Sequence, residues 1–235
     1  MNPFETCRST RNRISVLLTL DDGPGKDFFR KTDFLHRRGL FAVFFCVGQL
    51  LEQKPDAGLH ALRRGFHLAN HSWSHRRFSD LSRRQQHEEI LRTDRLIDDL
   101  YHSAGISRPG RYFRFPFLDR GDAEDAAMTR GLLVETGHSP LTGSEGPDCG
   151  FTFDTRDYWY PAKSQKLKRF FFEQALWRRM RRHLKTARRE ERAEVFVMHD
   201  AWGSHPLFDK TIQFLQKQQI VFLTAATLDR IPVPC

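Results

Sequence analysis

Two histidines four residues apart, in Asn70-His71-Ser72-Trp73-Ser74-His75, have the spacing at which two imidazoles on one face of a helical turn can bind one metal ion. In a chain with 11 His, that spacing by itself fits a solvated or core pair equally well. A pair of adjacent carboxylates, in Leu18-Thr19-Leu20-Asp21-Asp22-Gly23-Pro24, strengthens the metal reading. Asp22 with His71 and His75 makes a three-ligand, borderline-soft set that leaves a position for water, as in a catalytic zinc site. Neighbouring side chains on a strand point to opposite faces, yet a turn at Gly23-Pro24 can bring both Asp21 and Asp22 to one pocket. Two other places carry chemistry: Arg114 beside a rigid turn in Arg114-Phe115-Pro116-Phe117, and His199-Asp200 at the end of the apolar run Val195 to Met198. Taken singly, Arg114 also suits an ordinary ion pair and His199 a satisfied strand-end histidine.

These residues need a scaffold that gathers strand ends. Short β-like runs alternate with helical segments along the whole chain, which predicts an α/β fold with a mainly parallel sheet or barrel. Strands are expected at Ile14 to Leu20, Phe41 to Val47, Phe66 to Asn70, Tyr112 to Phe115, Leu132 to Glu135, Glu194 to Met198 and Ile220 to Leu223. Helices are expected at Lys26 to Arg38, Pro55 to Arg64, Ser82 to His102, Asp122 to Arg130, Ser164 to Glu190 and Pro206 to Gln218, with Ser82 and Gln85 in capping-box spacing. Gly137 to Gly150 reads as a loop, not a boundary. One catalytic domain is expected over 13–230, between tails at 1–12 and 231–235.

Composition narrows the class. The chain has 235 residues, 39% hydrophobic and 29% charged, with 21 Phe, which suffices for a packed core and excludes a disordered or fibrous protein. No run approaches the roughly 18 apolar residues of a membrane span. The apolar run Val16 to Leu20 is too short for a signal-peptide core, which places the chain as written in the cytoplasm; a chain already trimmed of a leader would read the same. Cys7, Cys46, Cys149 and Cys235 lack zinc-finger or CxxC spacing and read as reduced, structural thiols, with Cys46 buried. The net charge of +9 is densest over 163–192, where basic residues interleave with apolar ones at helical spacing. That pattern predicts an amphipathic helix with a solvated basic face, and leaves open an anionic substrate or surface. No nucleic-acid-binding module accompanies it, so no nucleic-acid partner is expected.

In chain order the segments resemble the polysaccharide deacetylases of the NodB homology group, carbohydrate esterase family 4, over roughly Ile14 to Leu228. The family's TFDDGP motif is similar to Thr19 through Pro24, its HS/TxxH motif to His71 through His75, and its RxPY-like motif to Arg114 through Phe117. Phe44-Phe45-Cys46-Val47-Gly48-Gln49 is similar to the stretch after the second strand of many members, and Val197-Met198-His199 to the late Leu-x-His motif. Leu20 replaces an aromatic residue, Val197 a Leu and Phe117 a Tyr. The acidic-plus-Trp motif matches poorly, because Asp154 to Trp159 carries an extra residue, so the assignment of Asp157 and Trp159 to it stays open.

The resemblance implies a distorted (β/α) barrel and metal-assisted removal of N-acetyl groups from a carbohydrate containing N-acetylglucosamine. It implies that Asp22, His71 and His75 hold a divalent metal, zinc first, with cobalt or nickel also suited. Asp21 would be the general base, Arg114 would hold Asp21 ionised, and His199 would protonate the leaving amine. A backbone N–H near Phe117 would help receive the oxyanion. Two other readings compete: a hydrolase of another N-acyl or cyclic amide in the cytosol, and a basic binding protein without activity. Trp73, Trp159 and Trp202 could stack on sugar rings, with packing expected for two of the three.

Overall fold

A strand that is apolar on both sides is stable only where both faces of its sheet are covered, and β1 (Ile14–Gly23) meets that condition at the centre of the molecule. The computed structural model describes residues 13–139, 148–201 and 205–228. The expected tails at 1–12 and 231–235, most of the Gly137 to Gly150 loop, Cys7, Cys235 and Trp202 lie outside the described residues. β1 pairs in parallel with β2 (Ala42–Cys46) and β5 (Glu194–His199), and its first residues pair with β6 (Ile220–Phe222). β3 (His67–Asn70) lies beyond β2, and β4 (Phe153–Asp154) beyond β5. Single bridges, Asn70 to Phe113 and Phe113 to Asp148, carry the sheet past β3, and the chain after Asp148 returns directly to β4. Among the described residues the strands thus form a distorted barrel whose gap is crossed by covalent chain and not by a hydrogen-bonded ladder.

The period of two along β1 sorts its side chains between two environments. Val16, Leu18 and Leu20 lie outside, in the large core beneath the helices. That layer includes α1 (Phe28–His36), α3 (Pro55–Arg63), α4 (Arg83–Ala104), α6 (Lys166–Glu190) and α7 (His205–Gln216). Leu17 packs inside with Val43, Phe45, Ala69, Tyr112 and Cys149, and Thr19 and Asp21 follow it on the same face. The alternation therefore carries a polar side chain to the barrel's C-terminal mouth. Cys46 and Cys149 are buried; burial, with Asp200 and Asp21 adding, pushes the Cys46 thiol well above its ordinary pKa, which makes it unreactive.

Several expected elements differ. Leu132 to Glu135 is not a strand but the end of α5 (Ala123–Glu135), a helix capped by Asp122, whose carboxylate accepts the Asp125 N–H at 2.8 Å. Its apolar triplet looks β-like, yet the helix buries only Thr129 and Leu133. Tyr112 to Phe115 makes only the bridges at Phe113, because Pro116 cannot donate to a ladder and Phe117 and Leu118 then turn with φ 57° and 54°. The short elements α2 (Gly48–Gln53), β4 and α8 (Ala225–Leu228) had no expectation. The capping box at Ser82 is formed, with its N–H donating to Gln85 Oε1 at 2.9 Å.

α2 fixes the loop that follows β3, since Gly48 N–H donates to Ser72 O and Gln49 N–H to Trp73 O, both at 2.9 Å. A side chain at Gly48 would meet the Trp73 ring and the Thr93 hydroxyl. Gly48→Ala is expected to destabilise the protein by about 1–3 kcal/mol through overpacking, measured by denaturant unfolding; an unchanged midpoint would contradict this packing.

Candidate active site

At the end of β1 the backbone leaves the strand pattern. The register with β2 shifts between Leu20 and Gly23, and Asp22 takes φ 64°, a left-handed conformation that costs an L-residue roughly 1–2 kcal/mol. That departure cancels the alternation, so the carboxylates of Asp21 and Asp22 both line one cavity of about 670 Å³. Both residues are buried.

The His71 to His75 segment is not the helical turn that its spacing suggests. It is a loop after β3 with Ser72 and His75 at φ 65° and 58°, and it reaches the same end by other means. Glu89, on α4, accepts the N–H groups of Trp73 and Ser74 at 2.7 Å each and the Ser74 hydroxyl at 2.6 Å. Asn70 accepts the Ser72 N–H at 2.9 Å and donates to Ile90 O at 2.9 Å. His71 Nδ1 lies 2.8 Å from Arg114 O; it must donate there, so Nε2 is left as the free lone pair. That Nε2 lies 3.3 Å and His75 Nε2 2.9 Å from Asp22 Oδ1. The three donor atoms fall within 4.8 Å of one another, and one carboxylate with two imidazoles suits zinc, cobalt or nickel. Burial alone would raise the Asp22 pKa, but His71 and His75, when protonated at Nε2, hold it far below the usual carboxylate range by hydrogen bonds and charge; losing those protons frees the Nε2 lone pairs.

Arg114 is almost wholly buried, and each arm of its guanidinium is satisfied. Nη1 donates to Asp21 Oδ1 at 2.6 Å and to Thr19 Oγ1 at 3.0 Å; Nε donates to Cys149 O at 2.8 Å and Nη2 to Gly150 O at 2.9 Å. Its plane lies over the Phe45 ring, 4.0 Å from the centroid. Across the mouth, His199 Nδ1 lies 2.7 Å from Asp157 Oδ1, and the His199 backbone N–H donates to Asp157 Oδ2 at 3.1 Å. Thr155 Oγ1 donates to the same carboxylate at 3.0 Å. Burial would lower the His199 pKa, but Asp157, helped by the charges of Asp21 and Asp22, pushes it up to about 9.

The cavity has a polar floor of Asp21, Asp22, His71, His75, Arg114 and His199 and an aromatic rim of Phe117, Phe151, Tyr158 and Trp159. Phe117 and Trp159 are largely exposed, and the Phe117 ring packs 4.8 Å from His75. Trp73 is buried under Arg92, a packing position. Asp157 therefore stands behind His199 while Trp159 stands at the rim. Sequence reasoning missed Tyr158, whose ring meets His199 edge-on at 4.9 Å, and Asp154, which accepts its hydroxyl at 3.2 Å. It also missed Glu89, which in sequence looks like any helix-surface acid, and Lys31, whose buried ammonium pairs with Asp200 at 2.9 Å beneath the site.

The sequence profile of the family described as polysaccharide deacetylase matches residues 8–130, which includes all of the floor except His199. Peptidoglycan-N-acetylglucosamine deacetylase of Bacillus cereus is 29% identical over 90 residues, 38% of this chain and 33% of that protein. The match thus spans about a third of that relative's length. Among solved structures, a family 4 carbohydrate esterase from Streptomyces lividans, in complex with acetate, shares the fold with a TM-score of 0.63 and 24% identity, over 88% of this chain and 91% of the other. A CE4 family pseudoenzyme from Bacillus anthracis gives a TM-score of 0.66 at 17% identity, over 93% of this chain and 66% of the other.

The pH behaviour of His199 follows from its surroundings. In metal-free protein its imidazole is expected to titrate near 9 by NMR. Because the folded pKa lies above the unfolded value of about 6.5, the linked stability, about 3 kcal/mol, is complete below pH about 6.5 and is lost as pH rises through about 9. Asp157→Asn should lower that pKa by more than a unit; a pKa unmoved by the substitution would contradict the pairing.

Proposed function

The chain belongs to the polysaccharide deacetylase family, and from that premise we propose that it is a metal-dependent hydrolase that removes N-acetyl groups from a carbohydrate containing N-acetylglucosamine. The observation that carries the reading is the convergence, on one cavity floor, of an Asp-His-His donor set, an arginine-held carboxylate and an aspartate-held imidazole. The B. cereus relative's peptidoglycan substrate and the acetate bound to the S. lividans esterase agree with it.

Asp22, His71 and His75 would hold the cation, which supplies Lewis acidity by lowering the pKa of water towards about 7 and polarising the acetyl carbonyl. Asp21 is kept off the donor set by Arg114 and takes the proton of the attacking water, the general-base role. Arg114 is a positioning residue: its fork fixes the Asp21 carboxylate, while its own carbonyl fixes the His71 tautomer. The N–H of Phe117, in the first turn of the 3-10 helix Pro116–Leu118, lacks a partner within that helix and is the donor for the developing oxyanion. Asp157 raises the His199 pKa and so favours the imidazolium, which gives its proton to the departing amine as the C–N bond breaks. The exposed Trp159 and Phe117 rings offer flat faces against which a sugar ring can pack.

The test is acetate release from N-acetylglucosamine oligomers, with and without a chelator, beside elemental analysis of the purified protein. Asp21→Asn is expected to retain the metal and lose about 100-fold or more in turnover, whereas His71→Ala loses the metal itself. Near-normal turnover by Asp21→Asn would remove the base assignment. Metal binding without acetate release from any such oligomer would overturn the carbohydrate reading and move the search to other N-acyl or cyclic amides. A protein that takes up no metal and turns over nothing would stand as a binding protein.

A further inference from the structure

The chain's entire charge excess lies in one segment. Residues 163–192 hold twelve Lys and Arg against three Glu, a net of nine, which equals the +9 of the whole chain, so the remaining residues are balanced. Most of the segment is α6, a helix of 25 residues. At 100° per residue, its buried side chains, Leu176, Met180, Leu184 and Ala187, cluster on one side and pack on the outer core. The opposite side is a stripe about 120° wide on which Leu167, Phe170 and Phe171 are followed by Arg178, Arg181, Arg182, Lys185 and Arg189, all exposed.

The stripe is graded. Its first turns expose three large apolar side chains, Leu167 by 68%, Phe170 by 54% and Phe171 by 61%, bordered by Lys163, Lys166 and Lys168, which are also exposed. The later turns are basic alone. A solvated surface helix gains nothing from adjacent bare phenyl rings, and a polyanion dissolved in water would neutralise the arginines while leaving the rings wet. An anionic bilayer takes both: the acyl boundary accepts the apolar tip, and the headgroup phosphates accept the basic stripe. We propose that the outer face of α6 docks in the plane of an anionic phospholipid membrane, with Leu167, Phe170 and Phe171 inserted.

The same helix ties the docking face to the cavity. Tyr160 packs on Phe172 at 5.5 Å and donates its hydroxyl to Glu173 at 2.6 Å, and its chain neighbour Trp159 forms the cavity rim. Docking through the start of α6 would therefore hold the rim segment beside the lipid surface. This inference does not depend on the reaction proposed above.

Co-sedimentation of the full chain with vesicles decides it, using phosphatidylcholine alone and phosphatidylcholine with about 30% phosphatidylglycerol, an anionic surface of the kind expected to attract basic segments. The variants are Phe170→Ser/Phe171→Ser and Arg181→Glu/Arg182→Glu, all at exposed positions outside the cavity floor and rim. The wild type should bind only the anionic vesicles, more weakly at high salt. Each double variant should lose about 10-fold or more in binding while keeping the wild-type unfolding midpoint. No binding by the wild type would overturn the proposal. So would a Phe variant that binds as the wild type does and a wild type that binds soluble polyphosphate as tightly as vesicles. Sedimentation velocity showing a wild-type dimer that the Phe variant dissolves would assign the patch to a second copy and likewise overturn it.

Discussion

A guanidinium buried inside a barrel must find acceptors for its three nitrogens or the fold loses several kcal/mol, and the way Arg114 meets that demand organises the site. Its partners come from β1, through Thr19 and Asp21, and from the segment that spans the barrel gap, through the carbonyls of Cys149 and Gly150. The same residue's carbonyl lies against His71 Nδ1. One residue thus joins the Asp21 carboxylate to the imidazole that faces Asp22. The planar fork is what permits this, since a lysine ammonium could neither span those directions nor lie flat on Phe45.

The second constraint is backbone strain at the ends of β1 and β3. Asp22, Ser72 and His75 all sit in the left-handed region, each at a cost that survives only because the surroundings impose it. For Asp22 the outcome is two adjacent carboxylates on one cavity with different environments, one against a buried arginine and the other against two imidazoles. For the histidine loop the restraints are the Glu89 carboxylate, the α2 N–H groups and Asn70. A rigid outer frame therefore holds an irregular inner loop, the arrangement expected where geometry serves chemistry and not stability.

Much of this was legible in the sequence, and the reasons it was or was not are physical. β1 and β5 announce themselves because strands buried on both faces must be apolar runs, and the polar residues at their ends stand out against them. Asp21, Asp22 and His199 could be singled out for the same reason, and Arg114 by its place beside the Pro116 turn. The His71 and His75 pair was found through a spacing that suggests a helix, yet the chain reaches it with left-handed Ser72 and His75, which no glycine signals. Leu132 to Glu135 misled because a short apolar triplet fits a strand or a helix end alike. The contact between Asp157 and His199 spans 42 residues, so no local pattern could have chosen between Asp157 and its neighbours. Tyr158 and Glu89 owe their positions to the same kind of distant packing.

The account rests on Asp22, His71 and His75 binding one cation beside an arginine-held Asp21. Anomalous diffraction from crystals soaked in zinc tests that most directly. The account predicts one strong peak per chain among Asp22 Oδ1, His71 Nε2 and His75 Nε2, with the Asp21 carboxylate still on Arg114. A peak elsewhere, or a cation that draws Asp21 away from Arg114, would contradict it.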